Sequence, residues 1–330
     1  MVDQFKALMV REDNGHFKSA VEYVPMIALP PNEVLIKVSY SSINYKDALS
    51  ASGNRGVTRK FPHIPGIDAA GQVISSTVDR FGEGDQVLVT GYDLGMNTWG
   101  GFGEYIRVPA DWIIKLPEGL SPFEAMCFGT AGLTAGLSVF NLVQSGIDKG
   151  KIAVSGATGG VGTIAVSILS KLGYEVVAIS GKDEGNYLTE VLGASSFLAR
   201  DAFIEKNDAK ALSAAEFDGG IDTVGGNMLS AMLKSSKYNA AVTCCGNVAA
   251  AQFTTSIFPF ILRGVKLIGI DSVEQSVDVK AEIWNLLARD WKPVRLKEMV
   301  EEISLEQVPN VLEILLKGKA RGRFVVNHSL

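Results

Sequence analysis

KIAVSGATGGVG, Lys151 to Gly162, followed by TIAVSILSKLGYEVVAIS, Thr163 to Ser180, is the stretch whose reading decides the fold. An apolar run, Ile152 to Val154, stops at a turn containing Gly156, Gly159, Gly160 and Gly162. A helical pattern of Val, Ile, Ala and Leu then runs from Val161 to Leu172, and a second apolar run, Val176 to Ile179, closes the unit. Strand, glycine turn, helix and parallel strand make the first βαβ unit of a dinucleotide-binding fold.

The glycines have physical tasks. A diphosphate rests on a helix N-terminus only where backbone N–H groups face it with no Cβ in between. Thr158, Gly159, Gly160, Val161 and Gly162 are therefore candidate diphosphate contacts, with Gly162 letting the helix pack closely on the strand. The bland alternative is a structural turn, but the readable strand before it and the helix and strand after it favour the dinucleotide. A P-loop is excluded because no Gly-Lys-Ser/Thr follows. Ser155 to Gly162 also fits the S/T-G-x-x-x-G-x-G pattern of short-chain dehydrogenases. Those place the motif near the N-terminus, whereas about 150 residues precede it here. Their Tyr-x-x-x-Lys is missing as well, since Ala178, Val191 and Val242 stand where Tyr174, Tyr187 and Tyr238 would need a lysine.

The 330 residues predict about two domains. With 47% apolar and 20% charged residues the chain is globular, and its net charge of −5 gives no footprint for nucleic acid. MVDQFKALMVRED lacks the basic and apolar regions of a signal peptide. The uncharged stretches 125–147 and 238–262 carry Thr, Asn and Gln and are expected to be buried core rather than membrane spans. Three cysteines, Cys127, Cys244 and Cys245, without C-x-x-C fit a reducing cytoplasm.

Residues 1–120 read as strands and turns, as in EVLIKVSYSSIN (33–44) and DQVLVTG (85–91), and predict a small irregular β-barrel. At Ser121 the character changes: Ser121 is a helix N-cap and Pro122 the first helical residue. Short apolar runs at SSFLAR (195–200), GGIDTV (219–224), AAVTCCG (240–246) and KLIGID (266–271) alternate with helical patterns, which implies a parallel sheet covered on both faces. VDVKAEIWNLLARDW (277–291) and LEQVPNVLEILLKG (305–318) predict helices, and GRFVVN (322–327) a final strand. The expected domains are 1–120, completed by 290–330, and a dinucleotide-binding domain over 121–289.

This order resembles the medium-chain dehydrogenase/reductase superfamily over essentially the whole chain. SSINYKDAL, FPHIPGIDAAG, NTWGGFGEY, GTAGLTA, SGATGGVG, GIDTVGG, PFILRGVKLIGIDS and the final Gly-Arg pair resemble its zinc-free branch of NADPH-dependent acrylyl-CoA reductases and quinone oxidoreductases. The resemblance implies an α/β protein with a GroES-like β-barrel catalytic domain and a Rossmann domain with a doubly wound parallel sheet. Ala157 stands at the first glycine of G-x-G-x-x-G, as in quinone-reductase-like members.

Zinc-dependent relatives place Cys, His and Cys or Asp where this chain has Asn44, Ile67 and Thr130. Zn²⁺ wants thiolate, imidazole or carboxylate, so no metal is expected, and Asp68 alone is not a site. His16, His63 and His328 have no metal-ligand spacing. Without a Lewis acid, alkoxide chemistry loses its support, whereas hydride addition to an activated C=C needs only hydrogen-bond donors near the carbonyl oxygen.

The resemblance sets Asn44 and Tyr45 beside nicotinamide and substrate. Tyr45 is a candidate donor to the α-carbon or the carbonyl, although a phenol, titrating near ~10, is a reluctant acid. An asparagine turn with a half-buried tyrosine is the plain alternative. Asp68 matches an acid of the zinc relatives and reads equally as a structural carboxylate in the PGID turn. Arg55, Arg59 and Lys60 form a basic loop that either holds the phosphates of a CoA thioester or is solvated surface. An NAD site places Asp or Glu at the end of the second strand, where this chain has Ser180, followed by Gly181 and Lys182. These, with Arg200 from the resemblance, suit the 2′-phosphate of NADPH, against Asp183 close by. Asn247, Ser272 and Arg323 match further cofactor-proximal positions of the branch and otherwise pass as loop polar residues. Cys127 reads as a buried structural thiol.

The expectation is a cytoplasmic, metal-free, NADPH-dependent reductase of an activated alkene such as acrylyl-CoA. The alternatives are an NADPH:quinone oxidoreductase and, in another class, a non-catalytic NADPH-binding protein of crystallin-like or sensing role. The apolar edge of KLIGID predicts a homodimer.

Overall fold

The computed structural model describes residues 3–330. In chain order the strands and helices of the first stretch are β1 (Gln4–Asp13), β2 (His16–Pro25), β3 (Val34–Ser42), α1 (Tyr45–Ala51), β4 (Asp68–Ser76), β5 (Gln86–Thr90), β6 (Tyr105–Val108), β7 (Ile113–Lys115) and α2 (Pro122–Gln144). The central stretch holds β8 (Lys151–Ser155), α3 (Gly160–Lys171), β9 (Glu175–Ser180), β10 (Ser196–Ala199), α4 (Arg200–Asp208), β11 (Phe217–Asp222), α5 (Gly226–Lys234), β12 (Ser236–Cys244), α6 (Phe258–Arg263) and β13 (Lys266–Gly269). The chain ends with α7 (Val277–Ala288), β14 (Val300–Ile303), α8 (Val308–Leu316) and β15 (Arg323–Asn327).

Two compact units result. The first comprises 1–130, 273–288 and 300–330; the second comprises 131–272 and 289–299. In the first, a seven-stranded sheet runs β14-β15-β3-β4-β5-β7 with β6 paired to β3, beside the antiparallel β1-β2 hairpin. Alternate residues of β3 and β5, with Val73 and Ile106, feed a core of Val34, Ile36, Val38, Val73, Val87, Val89 and Ile106. Each such side chain contributes roughly 1.5–3 kcal/mol on full burial. The hairpin turns at Asn14-Gly15, both with positive φ (50° and 81°), which is the strongest short-range hairpin signal a sequence carries.

The second unit is the parallel sheet read from the glycine turn. Its order, β10-β9-β8-β11-β12-β13, reverses between β8 and β11, and every pairing is parallel. That reversal is the switch point of a Rossmann sheet, and ligands of such sheets lie at the carboxyl ends of the strands. In α3 every residue from Gly162 to Leu169 is buried, as a helix set against a two-faced sheet requires.

The Ser-Pro reading at 121 holds. Glu124 N–H donates to Ser121 Oγ (3.2 Å) while Ser121 N–H donates to the Glu124 carboxylate (3.1 Å), a reciprocal capping box. α2 is long and apolar enough to cross a membrane, but most of its apolar window is buried (78%), and it breaks at Gly129, whose φ is 53°.

The domain limits differ from those expected at 120 and 289. The first unit extends to 130 and takes back α7, which ends at Ala288 rather than 291, while 289–299 belongs to the second unit. Lys280 accounts for α7. Its buried ammonium donates to the carbonyls of Thr90 and Val273 (both 2.8 Å) and lies 3.3 Å from the centre of the Tyr92 ring, which stacks on Trp112.

Candidate functional site

In the first unit the polar residues singled out from sequence converge on one carboxylate. β4 opens with Asp68, fully buried. Its Oδ2 accepts from Ser42 Oγ (2.6 Å), Asn44 Nδ2 (2.7 Å) and the N–H of Thr130 (2.8 Å), and its Oδ1 accepts from Thr130 Oγ1 (2.5 Å). β3, the entry to α1 and the broken turn of α2 thus meet at one side chain. The break at Gly129 is required: a Cβ there would lie 2.1 Å from Ser42 Oγ and 2.5 Å from Asp68 Oδ2.

Asn44 is buried and held at both polar ends. Its amide nitrogen donates to Asp68, and its amide oxygen accepts from Arg323 Nη1 (3.4 Å). Arg323 opens β15 and points inward, donating also to the carbonyls of Ile43 (3.1 Å) and Cys127 (3.4 Å). Within this unit its guanidinium is a buried counter-charge, and burial pushes its pKa down.

Asp47, not singled out from sequence, completes the cluster. It is fully buried and accepts from the N–H groups of Asn44 (2.7 Å), Ile67 (2.9 Å) and Gly66 (3.2 Å). Desolvation, reinforced by the Asp68 charge, pushes it up to about 7 despite these three donors. Its signal in the sequence was the Asn44-x-x-Asp47 spacing of a helix cap.

Tyr45 is different. It is the first residue of α1 and 43% exposed, the one member of the Asn44–Tyr45–Asp68 set with a side chain turned outward. Of the basic loop, Arg55 is occupied: its guanidinium grips Glu12 (2.6 and 2.7 Å), bonds the Arg59 carbonyl (2.9 Å) and stacks on Phe17 and Phe61. Arg59 and Lys60 are exposed beside it.

In the second unit the expected cofactor residues gather at the ends of β8 and β9. Gly159 caps α3 without any side-chain bond, so no cap side chain occupies the first N–H groups of the helix. A Cβ on Gly162 would come within 2.3 Å of the Gly156 carbonyl, which explains the glycine. Ser155 Oγ donates to the buried Asp222 carboxylate (2.6 Å), tying β8 to β11 across the switch point. Ser180 Oγ meets Thr158 Oγ1 (3.2 Å) and accepts from the N–H of Lys182 (3.0 Å).

The Arg200 guanidinium lies over Gly181, where an added Cβ would be 3.1 Å from Nη1; it also pairs with Asp201 (2.8 Å). Ser180, Gly181, Lys182 and Arg200 are therefore neighbours, and no carboxylate occupies the strand end itself. Asn247 lies apart from them and lines a cavity of about 630 Å³ with Cys244, Cys245, Gly246, Ile270 and Asp271. Ser272 is buried, accepting from Thr134 Oγ1 (2.7 Å). Burial beside Asp222 raises both thiols, Cys245 to about 12, and removes them as nucleophiles at neutral pH.

Comparison with known proteins follows the same division. Residues 30–118 match the alcohol dehydrogenase GroES-like domain, and 160–289 match the zinc-binding dehydrogenase family. The acrylyl-CoA reductase AcuI of Ruegeria pomeroyi is 42% identical over 328 residues, covering 98% of this chain and 99% of its own. The YhdH oxidoreductase of Salmonella enterica, solved in complex with NADP, superposes with a TM-score of 0.93 at 40% identity, over 98% of this chain and 99% of that one. Bacillus subtilis YhfP, solved with NAD bound, gives 0.95 at 43% identity, over 99% of this chain and 100% of that one.

Zinc, which the second of these families is named for, does not fit here. Ile67 offers no donor, Asn44 and Thr130 already donate to Asp68, and among the described residues no three His, Cys, Asp or Glu side chains gather.

Proposed function

This chain belongs to the medium-chain dehydrogenase/reductase family, in the branch of the acrylyl-CoA and quinone reductases, and from that premise we propose that it reduces the activated C=C bond of a short enoyl-CoA, acrylyl-CoA to propionyl-CoA, with NADPH and without a metal. The observation that carries the reading is the state of Asn44, Asp68 and Thr130. They bond one another, so they cannot polarise an alcohol through a metal, and they leave Tyr45 as the outward proton-bearing group.

The residues divide the work as follows. N–H groups at Gly160, Val161 and Gly162, with Thr158 and Gly159, whose own N–H is held by the Gly156 carbonyl (2.8 Å), take the diphosphate. Ser180, the Gly181 backbone, Lys182 and Arg200 take the 2′-phosphate, and Asn247 and Ser272 border the nicotinamide half. The bound nicotinamide supplies hydride for the β-carbon of the alkene. Tyr45 Oη–H donates to the thioester carbonyl oxygen, where negative charge collects as the enolate forms. Protonation of the enolate α-carbon by a solvent water, which leaves hydroxide, then completes the saturated thioester. Arg59 and Lys60 attract the CoA phosphates, with Arg55 bracing their loop.

The test is steady-state consumption of NADPH with acrylyl-CoA against small quinones, repeated with NADH. Turnover of the thioester, with NADPH preferred, is the expected result. Turnover of quinones alone would replace it with quinone reduction, and tight NADPH binding without oxidation would point to a non-catalytic role.

We further propose a cytoplasmic homodimer. β13 is a sheet edge, and exposed Val248, Ile257, Ile261 and Leu262 lie in the segment leading to it. A monomer by light scattering would contradict this.

A further inference from the structure

Asn44 and Arg323 stand far apart in sequence and were read as substrate and cofactor contacts; their geometry gives them another task. The Asn44 side chain has no polar atom left for a ligand in the direction of either partner: Nδ2 faces Asp68 and the Ser42 carbonyl, and Oδ1 faces Arg323. Its backbone N–H is held by Asp47. The residue before Tyr45 is thus fixed at three points, by the buried side chains of Asp68, Arg323 and Asp47.

We infer that Asp68 and Arg323 are positioning residues for Tyr45, acting on it through the clamped Asn44 side chain. The inference rests on the proposed role of Tyr45 but makes a separate claim about how that side chain is aimed. Tyr45 is 43% exposed, so little around its ring sets its direction, and the backbone on its N-terminal side must do so. α1 is only seven residues long and cannot hold its first turn rigid by itself. Asp68 is in turn locked to β3 and α2 through Ser42 and Thr130, so the clamp is built on the sheet rather than on a loop. Arg323 has one further guanidinium nitrogen, Nη2, buried without a partner, which its place beside the broken turn at Gly129 explains: the group is set there as a charge opposite Asp68 and Asp47 rather than to complete its own bonds.

The experiment is a double-mutant cycle between Arg323→Met and Tyr45→Phe, read as kcat, KM and direct NADPH affinity. We expect Arg323→Met to lower kcat at least tenfold while NADPH affinity changes less than twofold. Arg323→Lys should restore part of the loss, and the double variant should be no slower than Tyr45→Phe alone. Additive losses, or a loss of NADPH affinity equal to the loss of kcat, would overturn the inference; the latter would return Arg323 to the cofactor. Asn44→Ala, which leaves the buried charges in place, repeats the test should Arg323→Met not fold. Fluorotyrosine at position 45 gives a reading that needs no turnover. Its NMR resonance should shift and broaden in Arg323→Met, and an unchanged resonance would sink the inference whatever substrate the enzyme proves to use.

Discussion

Asp68 and Ser180 are both buried polar residues at strand ends, one in each unit, and they behave in opposite ways. Around Asp68 four donors meet two carboxylate oxygens, and that carboxylate has its bonds complete. Around Ser180 the helix start is left open: α3 begins at a glycine that caps nothing, beside a strand end that carries no carboxylate and is flanked by Lys182 and by the Asp201-paired Arg200. A closed network determines shape, and an open one waits for a ligand. Reading function from buried polar residues therefore requires asking whether their bonds are already complete.

The comparison breaks most severely at Gly129. Alanine there would need φ near 53° and would drive its Cβ to 2.1 Å from Ser42 Oγ. With a buried charge cluster disturbed, a loss of about 4 kcal/mol is expected, measured by denaturant unfolding.

A smaller effect comes from protons. His328 donates Nε2–H to the Gly101 carbonyl while Nδ1 is buried without a partner, and burial pushes its pKa down to about 4. Below the unfolded value of ~6.5 only the unfolded chain binds that proton, so this group lowers stability as pH falls from ~6.5 to about 4. Asp47 acts the other way. Its folded value of about 7 lies above the unfolded ~3.9, so the folded chain holds the extra proton and stability falls as pH rises between them. The two slopes oppose each other. His328→Gln should uncover a decline with rising pH and Asp47→Asn a decline with falling pH, each amounting to about 3–4 kcal/mol across the window in urea titrations. Parallel profiles for the two variants would refute the assignment.

The gentlest intervention is in the open region. Arg200→Ala should raise KM for NADPH about tenfold with NADH nearly unaffected, and Ser180→Glu should reverse the preference. Equal effects on both cofactors would mean that this cluster does not read the 2′-phosphate.

The glycine turn was legible because its logic is local: strand, turn and helix follow one another within a few dozen residues. The Asp68 network was not, because the Ser42–Asn44 segment, Thr130 and Arg323 come from three distant places in the chain and only folding brings them together at Asp68. Asn44 and Arg323 were noticed as polar positions, yet nothing in their neighbours announces that they face each other. α7 was readable as a helix but not as part of the first unit, since the acceptor of Lys280 at Thr90 lies 190 residues away. The β1–β2 hairpin carries its Asn14-Gly15 signal locally, within a stretch whose overall pattern shows only strands and turns.

The completeness of the Asp68 network also bears on descent. Suppose a metal were to be restored by changing Asn44, Ile67 and Thr130 to ligands. Any first step at Asn44 or Thr130 would strip donors from Asp68, and one at Asn44 would also take an acceptor from Arg323. Each intermediate altered at Asn44 or Thr130 would leave the buried Asp68 charge with less compensation before a metal could repay it. A chain with this network is separated from a metal-binding arrangement by several coupled changes, and substitution at Asn44 or Thr130 alone does not supply one.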